Sequence, residues 1–231
     1  MLNRFWRLCF KLLYNELAFT YDAVSRQVSL GHWRSWQRCA LRYLPEPEEG
    51  IVLELAHGTG DLQIDLQRQG YATVALDLSS AMGRLAQRKL QRTHLRADLA
   101  RADAMRLPYR SGAIGTVVCT FPTSFVFSEQ VLAELARILQ SSGRAIFVLS
   151  GQLQGRGVIR AFIRQLYRLT GQREGLLNES DVREVFRAPQ FNIDCHIVRV
   201  YQTAVQIAVL TVVQESDKSQ PDISLDFAKS T

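Results

Sequence analysis

The chain has 231 residues, of which 47% are hydrophobic and 22% charged, and a formal net charge of +6. These are the values of a globular chain long enough to bury its own core, and they argue against a disordered or fibrous protein. Its four cysteines (Cys9, Cys39, Cys119 and Cys195) are scattered without a CxxC pair, which argues against a disulfide scaffold or a zinc site and fits a reducing compartment.

Much of the positive charge is N-terminal. Residues 1–45 hold Arg4, Arg7, Lys11, Arg26, Arg34, Arg38 and Arg42 against Glu16 and Asp22. Such a patch suits phosphate, anionic lipid or an acidic substrate, or is simply a solvated face. Arg4, Arg7 and Lys11 break the apolar N-terminus before a signal-peptide core forms, and no run approaches the roughly 20 apolar residues of a membrane span. The expected location is cytoplasmic, extending to the inner face of the membrane.

Residues 2–19 have the spacing of an amphipathic helix, with Arg4, Arg7, Lys11 and Asn15 as its polar stripe. A second helical stretch covers residues 22–44, interrupted near Gly31, and residues 45–50 form a Pro/Glu/Gly linker. From residue 51 the pattern changes to short apolar runs alternating with amphipathic segments. Strands are predicted at 51–55, 73–77, 116–121 and 145–149, and helices at 61–69, 80–90 and 129–139, the last ended by the turn at Ser141, Ser142 and Gly143. This alternation implies βαβ units and a mostly parallel sheet. Two further helices, 157–169 and 179–187, precede runs at 192–201 and 204–213 that are close enough to pair as an antiparallel hairpin. Residues 214–231 are polar and read as a disordered tail.

The chemistry-bearing residues lie where predicted strands end. Glu54, Ala56, Gly58 and Gly60 form an E-x-A-x-G-x-G pattern, followed by Asp61 at a helix start. Small residues at such a turn let backbone approach a ligand, and the helix N-terminus offers N–H groups to a carboxylate. The dinucleotide fingerprint GxGxxG fails, because its third glycine would fall on Gln63, which argues against a nicotinamide-dependent oxidoreductase. Asp77 ends the next strand, where a carboxylate can accept from both hydroxyls of a ribose; its other reading is a helix-start acid before Ser79 and Ser80. Asp103, Ala104 and Met105 form a third group, which taken alone reads as a surface turn.

In this order the three elements resemble the class I S-adenosylmethionine-dependent methyltransferases, over roughly residues 50–150. The resemblance implies an α/β fold with a doubly wound, seven-stranded, mostly parallel sheet, and S-adenosyl-L-methionine as cofactor. By the same resemblance, Glu54, Ala56, His57, Gly58 and Gly60 would surround the methionine part, although His57 may be read equally as pointing to solvent. Asp77 would hold the ribose, Leu78 and Met82 would flank the adenine, Asp103 would meet its amino group with Ala104 and Met105 beside the ring, and Thr120 would close the cofactor side. Ser142 stands where the family usually has proline. Residues 21–36 further resemble the N-terminal stretch of ubiquinone/menaquinone-biosynthesis C-methyltransferases, whereas residues 119–125 replace the Gly-x-Arg-Asn segment of that group.

The domain reading is a helical lid at 1–45, a methyltransferase domain at 46–213 and the tail. If the lid folds over the cofactor cleft, His32 and Tyr21 are the candidate bases, with plain packing as the alternative. Phe121, Pro122, Phe125 and Trp33 are the expected substrate side; their character fits a small lipophilic or aromatic acceptor, or else simple core filling. Arg156, Arg160, Arg164 and Arg168 recur every fourth residue and, with the basic N-terminal helix, would serve a bilayer or an anionic substrate, or be solvated. Partners are thus a small-molecule acceptor and peripheral contact with a membrane, without nucleic acid. The alternative function is a regulatory or scaffold protein that binds S-adenosylmethionine without turnover. Deleting residues 1–45 is expected to abolish transfer more than cofactor binding.

Overall fold

The computed structural model describes residues 21–153 and 176–213. The predicted helices at 2–19 and 157–169, the arginine stripe at 156–168 and the tail at 214–231 lie outside the described residues.

Seven strands form one sheet: β1 (Val52–Leu55), β2 (Thr73–Asp77), β3 (Leu99–Arg101), β4 (Ile114–Thr120), β5 (Leu139–Leu153), β6 (Phe191–Val200) and β7 (Thr203–Val212), in the order β3-β2-β1-β4-β5-β7-β6. β1 pairs in parallel with both β2 and β4, and the chain order reverses between them, so the switch point lies at the C-terminal ends of β1 and β4. β7 is antiparallel to both β5 and β6, which is the predicted hairpin. The doubly wound α/β architecture is as expected.

The strands adjacent to the switch point are buried almost throughout, Glu54 of β1 included, because both faces are covered. On one face, Leu53, Leu55, Val117, Cys119 and Phe147 meet Val131, Leu132 and Leu135 of α5 (Glu129–Ile138) and Val182 and Phe186 of α6 (Glu179–Phe186). On the other, Val52, Val118, Ile146, Val148 and Ile207 meet Leu62 and Leu66 of α3 (Asp61–Arg68), together with Trp36, Cys39 and Ala40.

Residues 21–44 refine the expectation of one interrupted helix. α1 (Tyr21–Val28) ends in a turn through Leu30 and Gly31, both at positive φ, and α2 (Trp33–Gln37) runs into a 3-10 segment, Arg38–Tyr43. This second half supplies a core layer. Trp36 is buried against Gly151, where any Cβ would run into its ring, and its Nε1–H donates to Thr203 Oγ1 at 3.0 Å. Arg34 and Arg38 both clasp the buried carboxylate of Asp65 on α3. Deleting residues 1–45 would therefore unroof the core, and the truncation expected to separate transfer from binding cannot do so.

Two further elements differ from the sequence reading. β3 is absent from it, being only three residues long and without an apolar run. β5 starts at Leu139: residues 140–143, which include the turn expected at 141–143, bulge within the strand opposite Gly115 while pairing resumes at Thr116 and Arg144. No described helix is long and apolar enough to cross a membrane.

Replacing Trp36 with alanine removes a buried ring and orphans Thr203 from its indole donor. The expected cost is about 3–5 kcal/mol, read as a lower denaturation midpoint; a loss under about 1 kcal/mol would show that residues 33–43 are not part of the cooperative core.

Candidate active site

Three helices near the sheet start with a side-chain cap: Ser79 Oγ accepts from Met82 N–H at the start of α4 (Ser80–Arg92), Ser128 Oγ from Val131 N–H, and Asn178 Oδ1 from Asp181 N–H. α3 has no such cap. Its N-cap is Gly60, at φ +82°, which caps nothing. The first N–H groups of α3 therefore have no side-chain acceptor at their cap, an arrangement suited to a carboxylate. Gly60 is also needed for close approach, since a Cβ there would lie 2.9 Å from the Ala86 Cβ on α4. At Gly58, φ +54°, a Cβ would meet only open space; its backbone faces room rather than protein.

Asp77 braces this turn. Its Oδ2 accepts from Gly58 N–H at 2.9 Å and its Oδ1 from Ser79 N–H at 2.8 Å. A carboxylate has about four lone-pair sites, so capacity for two hydroxyls remains, and the helix-start and ribose readings are compatible. The pairing of Asp77 with Arg101 sets the end of β2 beside the end of β3, and Arg101 Nε donates to the Leu78 carbonyl at 3.0 Å. Leu78, next to Asp77, and Met105, in the turn after β3, are apolar yet 64% and 39% exposed. Asp103 Oδ1 accepts from Met105 N–H and shapes the turn, while Ala104 is buried. Met82, expected beside the adenine, is fully buried within the protein.

Glu54 is 1% exposed on the face shared with Val52 and Val118, and its Oε2 has no hydrogen-bond partner among the described residues. Burial pushes its carboxyl up to about 8; Gln63 alongside opposes this, while Asp61, Asp77 and Asp65 add to it. The Gln63 Nε2 is likewise buried, with no hydrogen bond of good geometry among the described residues. A buried carboxyl group with an open oxygen next to an uncapped helix start fits the ammonium and carboxylate ends of an amino acid, the ammonium favouring the ionised form when bound. With Asp77 at the end of the neighbouring strand, these residues fit S-adenosylmethionine.

His57 is buried, not solvent-facing. Its Nδ1 lies 2.9 Å from the Gly58 carbonyl and so donates to it, and burial lowers its pKa against the opposing pull of Asp77. The residue stiffens the turn. A second brace was not legible in the sequence. Lys89 Nζ on α4 donates to Asp22 Oδ2 and Asp61 Oδ1, each at 2.8 Å, and to Thr59 Oγ1 at 3.0 Å, while Thr59 Oγ1 donates to Asp22 Oδ1. α1 is thereby tied to the glycine turn. Burial alone would raise the Asp22 carboxyl, but the hydrogen bonds from Lys89 and Thr59 outweigh it and hold the pKa below the usual value.

Three of the residues expected on the acceptor side, Trp33, Phe121 and Pro122, lie where β4 ends or against it. Thr120 is its last residue, and Phe121 follows at φ +51°, so it turns out of the strand predicted to contain it. Trp33 stacks on Phe121 with ring centroids 4.1 Å apart, and Trp36 lies 6.1 Å from the same ring. His32 lies beside Trp36 and Tyr201, at 6.3 and 6.0 Å. Pro122 is half-buried beside this group in sequence, whereas Phe125 is placed differently from the expectation, against the α5/α6 core on the other face. Of Tyr21 the structure describes the backbone position at the start of α1. Gln37, missed in the sequence, donates from Nε2 to Thr120 Oγ1 at 3.2 Å; its i,i+4 spacing from Trp33 was the available signal.

The position of Glu54 has a consequence for stability. Its folded pKa of about 8 lies above the ordinary 4.5, so the native state holds a proton that the unfolded chain releases. Stability from this group is present below pH 4.5 and is lost as pH rises through about 8. Glu54→Gln is expected to leave the ligand-free protein more stable than the parent at pH 8, with the gap closing toward pH 4.5. Parallel melting curves for the two proteins across this range would contradict the assignment.

Comparison with known proteins agrees with this geometry. Residues 52–143 match the model of the methyltransferase domain family. A demethylmenaquinone methyltransferase of Thermus thermophilus is 34% identical over 137 residues, 58% of this chain and 62% of that protein. A ubiquinone/menaquinone biosynthesis C-methyltransferase of Geotalea uraniireducens is 29% identical over 142 residues, 59% of this chain and 60% of that protein. The chain thus matches less than two thirds of these relatives' length. Among solved structures, an S-adenosylmethionine-dependent methyltransferase of Methanococcus maripaludis, itself assigned without proof of activity, superposes with a TM-score of 0.59 at 19% identity, over 86% of this chain and 93% of that one. Geranyl diphosphate C-methyltransferase of Streptomyces coelicolor, solved with S-adenosyl-L-homocysteine, gives 0.57 at 12%, over 78% and 76%. Family match, strand order and the cradle at the ends of β1 and β2 agree: residues 52–143 are similar to the methyltransferase domain family, and the sheet has the fold of S-adenosylmethionine-dependent methyltransferases.

Proposed function

We propose that this protein transfers a methyl group from S-adenosylmethionine to a flat, lipophilic aromatic acceptor of the quinol type. The observation that carries the cofactor half is the buried, unpartnered Glu54 Oε2 beside the uncapped start of α3. The acceptor half is supported by the Trp33–Phe121 stack at the end of β4 and by relatives named for quinone methylation.

When bound, the cofactor supplies an electrophilic methyl: the acceptor's electron pair forms the new bond, the C–S pair returns to sulfur, and the acceptor loses a proton. The chain's own task is alignment and exclusion of water. Asp77 and Lys89 fix the glycine turn, and Glu54 answers the ammonium end. Trp33, Trp36 and Phe121 give the acceptor side an apolar wall. His32 is the described candidate to take the proton, through its place between Trp36 and Tyr201, and Tyr21 is retained as the second candidate. A lipophilic acceptor partitions into the bilayer, and the net charge of +6 favours an anionic membrane face, so we place the protein in the cytoplasm and at that face.

With S-adenosylmethionine and a reduced 1,4-naphthoquinone, the protein is expected to form S-adenosylhomocysteine only when both substrates are present. Calorimetric binding of the cofactor without turnover on reduced naphtho- or benzoquinones would instead favour a binding-only protein. Asp77→Asn is expected to weaken S-adenosylhomocysteine by about tenfold to a hundredfold, the worth of hydrogen bonds to a charged group, and to leave its 2′,3′-dideoxy analogue unaffected relative to the parent. Equal losses for both ligands would limit Asp77 to bracing the turn.

A further inference from the structure

α2 lays one face on the end of β4, residue against residue. Trp33 and Gln37 are one helical turn apart; Trp33 stacks on Phe121, and Gln37 Nε2 donates to Thr120 Oγ1. The other amide atom, Gln37 Oε1, is buried and makes no hydrogen bond among the described residues. Nearby donors are already committed: Trp36 Nε1–H to Thr203 Oγ1, Trp36 N–H to the His32 carbonyl, and Phe121 N–H to the Val148 carbonyl. Turning the amide end for end only exchanges the atom left over, since the Thr120 hydroxyl serves as donor or acceptor. One buried polar valence thus stands beside an aromatic stack, and such atoms are uncommon unless something fills them.

We infer that Gln37 is an acceptor-binding residue that orients the ring: its free amide valence pairs with a ring hydroxyl of an aromatic acceptor lying against Trp33 and Phe121. The inference rests on the proposed reading for the acceptor's aromatic character. A hydroxyl both donates and accepts, so it satisfies the amide in either orientation. Stacking alone fixes the plane of a ring but leaves it free to turn within that plane. One hydrogen bond at the rim removes that freedom and decides which ring carbon meets the methyl group. Trp33 sets the plane and Gln37 sets the rotation.

The test uses binding rather than turnover. Naphthalene-1,4-diol, kept reduced under nitrogen, and 1,4-dimethylnaphthalene, which has the same outline without hydroxyls, are titrated by tryptophan fluorescence in the presence of S-adenosylhomocysteine. Gln37→Leu is expected to weaken the diol by about tenfold, the usual scale for one lost hydrogen bond, with dimethylnaphthalene and S-adenosylhomocysteine both staying within about twofold of the parent. Gln37→Met, an unbranched near-isostere, should behave alike, which separates lost polarity from disturbed packing. Unchanged diol affinity, equal loss for both naphthalenes, or a parent that binds neither would overturn the inference. Diol binding that depends on Gln37 in a protein that transfers no methyl group upholds it while the proposed function fails. Transfer that is indifferent to Gln37→Leu, with diol affinity unchanged, overturns the inference alone.

Discussion

Asp65, 3% exposed, takes four hydrogen bonds from two guanidinium groups. Burial alone would raise its pKa, but the bonds from Arg38 and Arg34 outweigh this and hold it low. An unpaired carboxylate buried there would be costly, so α3 accepts residues 33–43 as its neighbour or leaves a charge unmet. The apolar side of the same segment then completes the core, with Trp36 over Gly151 and Cys39 and Ala40 against the sheet. Every acceptor-side feature rides on that layer: the Trp33–Phe121 stack, the Gln37–Thr120 bond and the place of His32.

Local conformation at the switch point departs from the ordinary. Ala56 follows β1 at φ +57°, and Phe121 follows β4 at φ +51°. A non-glycine residue in this region costs about 1–3 kcal/mol and persists only where its surroundings over-determine it. At Phe121 the surroundings are visible: its N–H is held by the Val148 carbonyl and its ring by Trp33. At Ala56 the turn is held by Asp77 on Gly58 and by the hydrogen bond from His57 N–H to the Leu76 carbonyl. Glu54 adds a third cost, a carboxyl group kept out of water with its Oε2 unpartnered among the described residues. The fold itself offsets the first two through the contacts just named, and the open oxygen of Glu54 is the feature that a polar ligand would relieve.

The cradle is braced from two sides. Asp77 and His57 brace the turn from within the domain, over short reaches. Lys89 braces it through α1, joining Asp22, Thr59 and Asp61. The position of α1 and the shape of the cofactor turn are therefore linked through one ammonium group. The described part of the N-terminal region divides accordingly, with α1 attached by polar contacts at the cleft and residues 33–43 built into the core.

Where information was local, the sequence sufficed. Alternating apolar runs and amphipathic helices determined the doubly wound sheet, because a buried parallel strand and a half-exposed helix each impose their own period. The glycine turn and Asp77 were legible because chain geometry places a strand's last residue and the next helix's first residue at one edge. Tertiary structure alone decided what depends on distant partners. Lys89 meets residues 28, 30 and 67 positions away, and Trp36 meets Thr203 at 167, so no spacing rule announces either. Burial likewise separated Met82, which is fully buried, from Leu78, which is 64% exposed, and packing put Phe125 and Phe121 against opposite faces of the sheet. An apolar side chain looks the same in sequence whether it fills a core or lines a cleft; only the packing of the whole chain leaves one exposed and the other not.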